Sequence, residues 1–515
     1  MSDLICQDST AFLQDYRNLM GRLSAHMHSR LWWATNIASK NRFASKIPVL
    51  LQQVEACAIA IAKCSGDLII YKPDFSLVPT LKNLCQKSGI GLLCPHGYIR
   101  YNLLKQRLRS MAGHVKSCLR LMYRLAVVRL FYKLEQDKGS DNKVTALKSF
   151  FYESSVDEKN GYNYKDPMFG RLPNFLADRN KLIILTHIVG RYRPCIKKIN
   201  RQTKYTIVPV EYWLSIKSIL SSLYEVLISR LDKKIPDVID YRGINVSGVF
   251  RDELYRKYND IHLKQFVFYP IMQVCCKAKE IRNYIQTCEN NPWEKMALAG
   301  IQEVKPNTRT IGFQHAVIPQ VSVNMFNSAE EMANMPLPKK LLFVGQEPLD
   351  IVNLYSESTL TNAKANCGLN YEYLQKYEEK PRRKIQKILV AMEGLPSAVP
   401  MLNYVLDQLK IRQEYQLTFR FHPNLHLTYE TAQKKFGFDL GTVANANVSQ
   451  ALLHDDLMNH DLCIYWGSTV SLEALSVGMP LVHYDIQTVL SYDPLFRCRH
   501  LKWTVTKCDS LPDVI

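Results

Sequence analysis

Four short apolar runs, Lys387–Ala391, 417–421, 462–466 and Leu481–Tyr484, alternate with helical stretches such as Val399–Leu409 and 470–477. Each run is rich in Leu, Ile, Val or Phe, ends in polar or Gly/Pro residues, and is too short for a buried helix. Strands that are apolar at almost every position need cover on both faces. Alternation with helices supplies that cover through right-handed crossovers onto a parallel sheet. Residues 361–515 are therefore expected to form a Rossmann-like α/β domain. A complete doubly wound domain would carry a further helix after Ser510, so the stop at Ile515 reads as a truncated end.

The preceding part reads as a second α/β domain over 1–360. Its expected strands are 30–35, 67–71, 90–94, 181–186, 284–288, 310–314 and 341–344. Helical stretches at 115–134, 210–231 and 261–281 suggest insertions at about 98–170 and 205–280. The boundary is expected near Thr361, and the charged segment 377–387 around Pro381 reads as a solvated join. At 515 residues the chain is too long for one ordinary core.

Lys and Arg number 66 against 47 Asp and Glu, a net charge of +19 that favours an anionic partner. The 14 cysteines are scattered, with no C-x-x-C pair, which fits a reduced cytoplasmic setting and no metal site. The first residues lack the order of a signal peptide, and no apolar run approaches the roughly 20 residues of a spanning helix. A soluble or peripheral protein is expected. No D-x-D motif follows an apolar strand, so a metal-independent reaction with no tightly bound cofactor is expected.

The chemistry-bearing segments sit at strand ends. Gly467-Ser468-Thr469 follows one apolar run and opens a helical stretch that closes at Gly478 and Pro480. Such a turn offers free N–H groups and a positive dipole end to a phosphate, although Ser or Thr also caps ordinary helices there. His422 ends the 417–421 run, and Glu393-Gly394 ends the first. All belong to the carboxyl edge of one sheet, where open α/β sheets bind ligands.

His422-Pro423 followed by Ser468-Thr469 resembles the C-terminal domain of GT-B glycosyltransferases. The likeness is to bacterial surface-polysaccharide enzymes of capsule or O-antigen biosynthesis that use CMP-activated Kdo or sialic acid. The resemblance implies that His422, Pro423, Ser468 and Thr469 hold the nucleotide and its phosphate. Glu473, one helical turn later, is a candidate for a ribose hydroxyl or a solvated helix residue. In the N-terminal part, 32–36 with Ser39-Lys40-Asn41 looks like the first strand and acceptor-side loop of those enzymes. Likewise 289–294 (E-N-N-P-W-E) and 312–315 (G-F-Q-H) resemble their strand-end segments. Glu289 is a candidate base or charge stabiliser, or else a carboxylate favoured by a helix N-terminus. His315 is a candidate base or donor. Gly368-Leu369-Asn370-Tyr371 departs from the pattern, which has an Arg before the aromatic.

The resemblance implies two Rossmann-like domains facing across a cleft. It also implies a nucleotide-sugar donor, CMP-sugar favoured with UDP- or GDP-sugars open, and a glycan or glycolipid acceptor. The protein is expected in the cytoplasm, with peripheral attachment to the cytoplasmic face of the inner membrane as an option. The alternatives are a nucleotide-sugar 2-epimerase, a CDP-glycerol-type polyol-phosphate transferase, or a basic scaffold without activity.

Residues 98–134 hold nine basic residues and no acidic one, interleaved with Leu, Val, Met and aromatics. This mixture reads as a helix on an anionic membrane surface, against a basic core-packed helix or a nucleic-acid binder. No recognition-module signature supports nucleic acid.

Overall fold

The computed structural model describes residues 9–64, 74–133, 143–158, 161–179, 181–365, 367–369, 371, 373–374, 384–422 and 428–515. The chain divides into two compact units. One runs to Ala316 and resumes over Ser322–Asn370; the other comprises Val317–Val321 and Tyr371–Ile515.

The first unit is built on seven parallel strands: β1 Lys143–Phe151, β2 Leu182–Ile188, β3 Thr206–Pro209, β4 Glu280–Thr287, β5 Arg309–Gln314, β6 Lys340–Phe343 and β7 Ala363–Lys364. Their order across the sheet is β7-β6-β5-β4-β1-β2-β3. The chain winds outward from β1 to one edge, returns to β4 and winds outward to the other. Its helices include α1 Ser9–Met27, α2 His96–Phe131, α3 Phe268–Ala278, α4 Pro292–Val304 and α5 Ala329–Asn334.

The second unit repeats the plan with β8 Lys387–Ala391, β9 Gln416–Arg420, β10 Ala446–Val448, β11 Leu462–Tyr465, β12 Leu481–Tyr484 and β13 Lys502–Val505. All pair in parallel, in the order β10-β9-β8-β11-β12-β13. Ile388 and Val390 enter one core with Met401, Leu402 and Val405 of α6 (Val399–Leu409). Leu389 and Ala391 enter the opposite core with Ala474 of α7 (Val470–Ser476). Both faces of β8 are thus covered, which is why its apolar run has no polar alternation. Complete burial of one aliphatic side chain contributes about 1.5–3 kcal/mol, so these strands anchor the unit. The chain is therefore α/β, with two Rossmann-like parallel sheets.

Several sequence expectations are corrected. Residues 30–35 are not a strand: Arg30–Trp33 and Asn36–Ser39 are short helices, capped by the Ser29 hydroxyl on the Trp32 amide and the Thr35 hydroxyl on the Ala38 amide. Trp32 and Trp33 are both buried, and the Trp32 indole donates to the Ser24 hydroxyl at 3.1 Å. Residues 90–94 form a loop, and the strand expected at 67–71 lies outside the described residues. The regions 98–170 and 205–280 are not simple insertions, because they contain β1, inside the sheet between β4 and β2, and the edge strand β3. Lys148 interrupts the apolar reading of β1, yet it is buried, with its Nζ over the rings of Phe150 at 3.8 Å and Trp293 at 3.9 Å.

Candidate functional site

In the second unit the strand order reverses between β8 and β11. Their registers match Ala391 with Tyr465, so the two strands end level. Met392-Glu393-Gly394 leaves β8 and Trp466-Gly467-Ser468-Thr469 leaves β11 at that reversal, the place where loops diverge and open a crevice. His422 lies two residues past the end of β9, the strand next to β8. Glu393, Gly394, His422, Gly467, Ser468 and Thr469 thus share one sheet edge; Glu473 lies in α7, and Pro423 lies outside the described residues.

Local packing explains the shape of this edge. Trp466 is buried and its ring lies 4.7 Å from that of Tyr492. A Cβ on Gly467 would stand 3.4 Å from both Cβ and the carbonyl oxygen of Tyr492, which places the 485–493 loop directly against the turn. Ser468 is buried and Thr469 exposed. Capping by side chains is slight: Thr469 makes no cap hydrogen bond, and the Ser468 hydroxyl accepts from the Val470 amide at 3.4 Å, at the long limit. These two hydroxyls thus do little capping of the helix that follows.

His422 is half-buried, and burial lowers its pKa. A neutral imidazole presents one donor and one acceptor nitrogen. Glu473 accepts a hydrogen bond from the Tyr373 hydroxyl, and burial raises its carboxyl pKa. Arg420, at the end of β9, holds the 449–456 loop through Asp456 at 2.6 Å and the Ala451 carbonyl at 2.9 Å. Behind the edge, Asp493 is buried and accepts from the Tyr465 hydroxyl at 2.8 Å and the Lys502 ammonium at 2.6 Å. Sequence reading missed Tyr492 and Asp493, which follow β12 in an irregular loop with no periodic signal.

In the first unit the order reverses between β1 and β4. Glu289 lies two residues beyond β4 and His315 one beyond its neighbour β5. His315 Nδ1 stands 3.4 Å from Glu289 Oε1, an ion-pair distance, with no aligned hydrogen bond to that nitrogen. The two catalytic candidates, 26 positions apart in sequence, are therefore brought together, both partly exposed.

The loop carrying Glu289 is fixed by its backbone. Glu294 Oε2 accepts from the Glu289 and Asn291 amides, each at 2.9 Å, and its Oε1 accepts from the Thr287 hydroxyl at 3.0 Å. Asn290 takes a left-handed φ of 63° and donates to the Asn324 carbonyl at 2.7 Å; Asn324 returns a bond to the Glu289 carbonyl at 2.8 Å. The helix-start carboxylate is Glu294, in a capping box with Asn291, and not Glu289. Burial, helped by the Glu289 charge, pushes the Glu294 carboxyl up to about 7. The Glu289 side chain is left to face His315.

Residues 39–41, expected with 32–36 as a first strand and acceptor-side loop, brace this assembly from behind together with Ala38. Asn41 donates to Asn291 Oδ1 at 3.2 Å, and Lys295 Nζ donates to the Ala38 carbonyl at 3.1 Å. Lys40 is wholly buried and donates to Glu331 and to the Phe326 carbonyl, both at 2.7 Å. Lys40 is thus structural.

Gly312 shows how tightly β5 meets this loop. A Cβ there would stand 2.8 Å from Cys288 Cβ and 2.8 Å from Pro338 Cγ. Gly312→Ala is expected to cost about 1–3 kcal/mol as an overpacking change. Thermal denaturation checks this: an unchanged melting temperature would show that Cys288, next to Glu289, moves aside freely.

Among the described residues no group of three or more His, Cys, Asp or Glu could hold a metal ion. No family model and no curated protein matches the chain. Solved structures that resemble it include a glycosyltransferase of kitacinnamycin, at 11% identity, TM-score 0.37, covering 72% of this chain and 88% of that one. Another is the glycosyltransferase SnogD from Streptomyces nogalater, at 10% identity, TM-score 0.34, covering 71% and 87%. At this level of likeness a functional reading has to come from the residues themselves.

Proposed function

We propose that the chain is a GT-B-type glycosyltransferase whose second unit binds the nucleotide of an activated sugar and whose Glu289 deprotonates the acceptor. The observation that carries this reading is the coincidence of Glu393-Gly394 and Gly467-Ser468-Thr469 on the two strands flanking the reversal of the second sheet, with His422 on the adjacent strand. Open α/β sheets bind nucleotides at such reversals. The 3.4 Å approach of Glu289 and His315 adds a second line of support.

In the reaction so read, an acceptor hydroxyl forms a bond from oxygen to the anomeric carbon of the donor. The bond from that carbon to the phosphate oxygen breaks, and the electron pair leaves with the nucleotide. The hydroxyl proton passes to Glu289, which His315 orients. Charge on the departing phosphate is met by the N–H groups of 467–469, the Ser468 and Thr469 hydroxyls and a donor nitrogen of His422. Glu393 and Glu473 are assigned to the sugar and ribose hydroxyls. CMP-sugars remain the favoured donor class, with UDP- and GDP-sugars next, and the acceptor is a glycan or glycolipid hydroxyl. Capsule or O-antigen biosynthesis is the setting this reading suggests.

A thermal-shift panel of CMP, CDP, UDP, GDP and ADP tests it. A ligand bound only by the native state at about 100 times its Kd adds about 2.7 kcal/mol, so one nucleotide should raise the melting temperature. Replacing Ser468 and Thr469 together with Ala should remove that shift. A shift that survives the double substitution, or none with any nucleotide, would overturn the assignment. Epimerised sugar formed from donor alone would replace transfer by 2-epimerisation, and phosphate retained in the product linkage would point to a polyol-phosphate transferase.

A further inference from the structure

A helix packed on a core needs one apolar face, and α2 has two. On the inward face Ile99, Cys118, Leu121, Leu125 and Val128 are buried. On the outward face Leu104, Leu108, Val115, Leu119, Tyr123 and Leu130 are 47–75% exposed. At about 100° per residue these six span a sector of roughly 100°. The row runs along a helix of 36 residues, about 54 Å at 1.5 Å per residue. The loop ahead of it leaves Leu93 wholly exposed. The helix Ile216–Ile228, packed against α2, exposes a second apolar row of Ile216, Leu220, Tyr224 and Ile228.

The charges lie between the two faces of α2. Lys105, Arg109, Lys116 and Arg120 border the open row on one side, Arg100 and Arg129 on the other, and all six are exposed. Two arginines turn inward: Arg107 lies over the rings of Tyr255 at 4.2 Å and Tyr258 at 5.0 Å, and Arg124 pairs with Glu211 at 3.0 Å. From Phe75 to Leu134 there is no acidic residue, and among the described residues none of the six exposed cations pairs with a carboxylate. Among the described residues no helix is long and apolar enough to cross a membrane.

We propose that α2 docks the protein on a membrane surface rich in anionic lipid, lying flat with the Leu104–Leu130 row in the headgroup region and the flanking Lys and Arg on lipid phosphates. Charge complementarity selects this occupant. A second copy packed on the same face would bring one cationic border against another. Nucleic acid would meet the cations and leave the leucines in water.

Vesicle co-sedimentation of the full chain, without nucleotide, tests the proposal independently of the transferase reading. Vesicles of phosphatidylcholine with about a quarter phosphatidylglycerol should bind at least about tenfold more tightly than phosphatidylcholine alone, and high salt should weaken the binding. Two variants, Leu108→Ser with Leu119→Ser and Lys105→Glu with Lys116→Glu, should each lose about tenfold while keeping the wild-type melting temperature. Equal binding to both vesicle types, or leucine variants that bind like wild type, would overturn it. So would a dimer that dissociates in the leucine variant, or RNA binding that displaces the vesicles.

Discussion

Replacing Glu289 with Gln is expected to slow nucleotide release from the activated sugar by about 10²- to 10⁴-fold, the range for loss of a positioned general base. The same change is expected to leave the melting temperature and the nucleotide-induced shift near wild type. The separation follows from how the loop is held. The hydrogen bonds that fix residue 289 use its backbone: its amide donates to Glu294 and its carbonyl accepts from Asn324. The side chain faces His315 and is partly exposed, so an isosteric amide removes the basic oxygen without unmooring the turn. Turnover within a few-fold of wild type would remove Glu289 from the mechanism. A collapse in stability would make it a structural carboxylate.

The second large effect concerns the brace behind that loop. Lys40 and Glu331 are fully buried and pair at 2.7 Å. Burial draws the Lys40 ammonium below its ordinary range, against the pull of Glu331. Replacing Lys40 with Met leaves a buried carboxylate without its cation, which costs about 3–5 kcal/mol when one partner of a buried pair is removed. The melting temperature should fall accordingly, and Glu331→Gln added to Lys40→Met should restore part of the loss, because the uncompensated charge is gone. No loss in the single variant would mean that the pair contributes nothing to the fold. No recovery in the double variant would mean that the bonds to Phe326 and Asn327 matter more than the charge.

The two units differ in how much of them is legible from residue order. In the second unit β8, β9, β11 and β12 are buried on both faces, so their sequences are mostly apolar. Position at the strand ends then follows for Glu393, His422 and Ser468. The edge strands β10 and β13 escape because they are short or half-exposed, as Lys502–Val505 shows. In the first unit β1 hides behind Lys148, whose charge interrupts the pattern while aromatic rings receive its amine. The Trp32-Trp33 run misleads in the opposite sense: its apolar density resembles a strand, but Ser29 and Thr35 cap two helices. Glu289 and His315 are readable as strand-end residues, whereas their mutual approach depends on β4 and β5 being neighbours. The roles of Glu294, Asn324 and Lys40 come from contacts between segments distant in sequence, which no local pattern carries.

The account rests on the nucleotide being held at the ends of β8 and β11. Hydrogen–deuterium exchange of the full chain, with and without the nucleotide that raises its melting temperature, measures that location directly. Slower exchange is predicted at 392–394 and 466–469, with 421–422 following. Protection confined to 287–291 and 314–316 in the first unit, or none at 466–469, would contradict it.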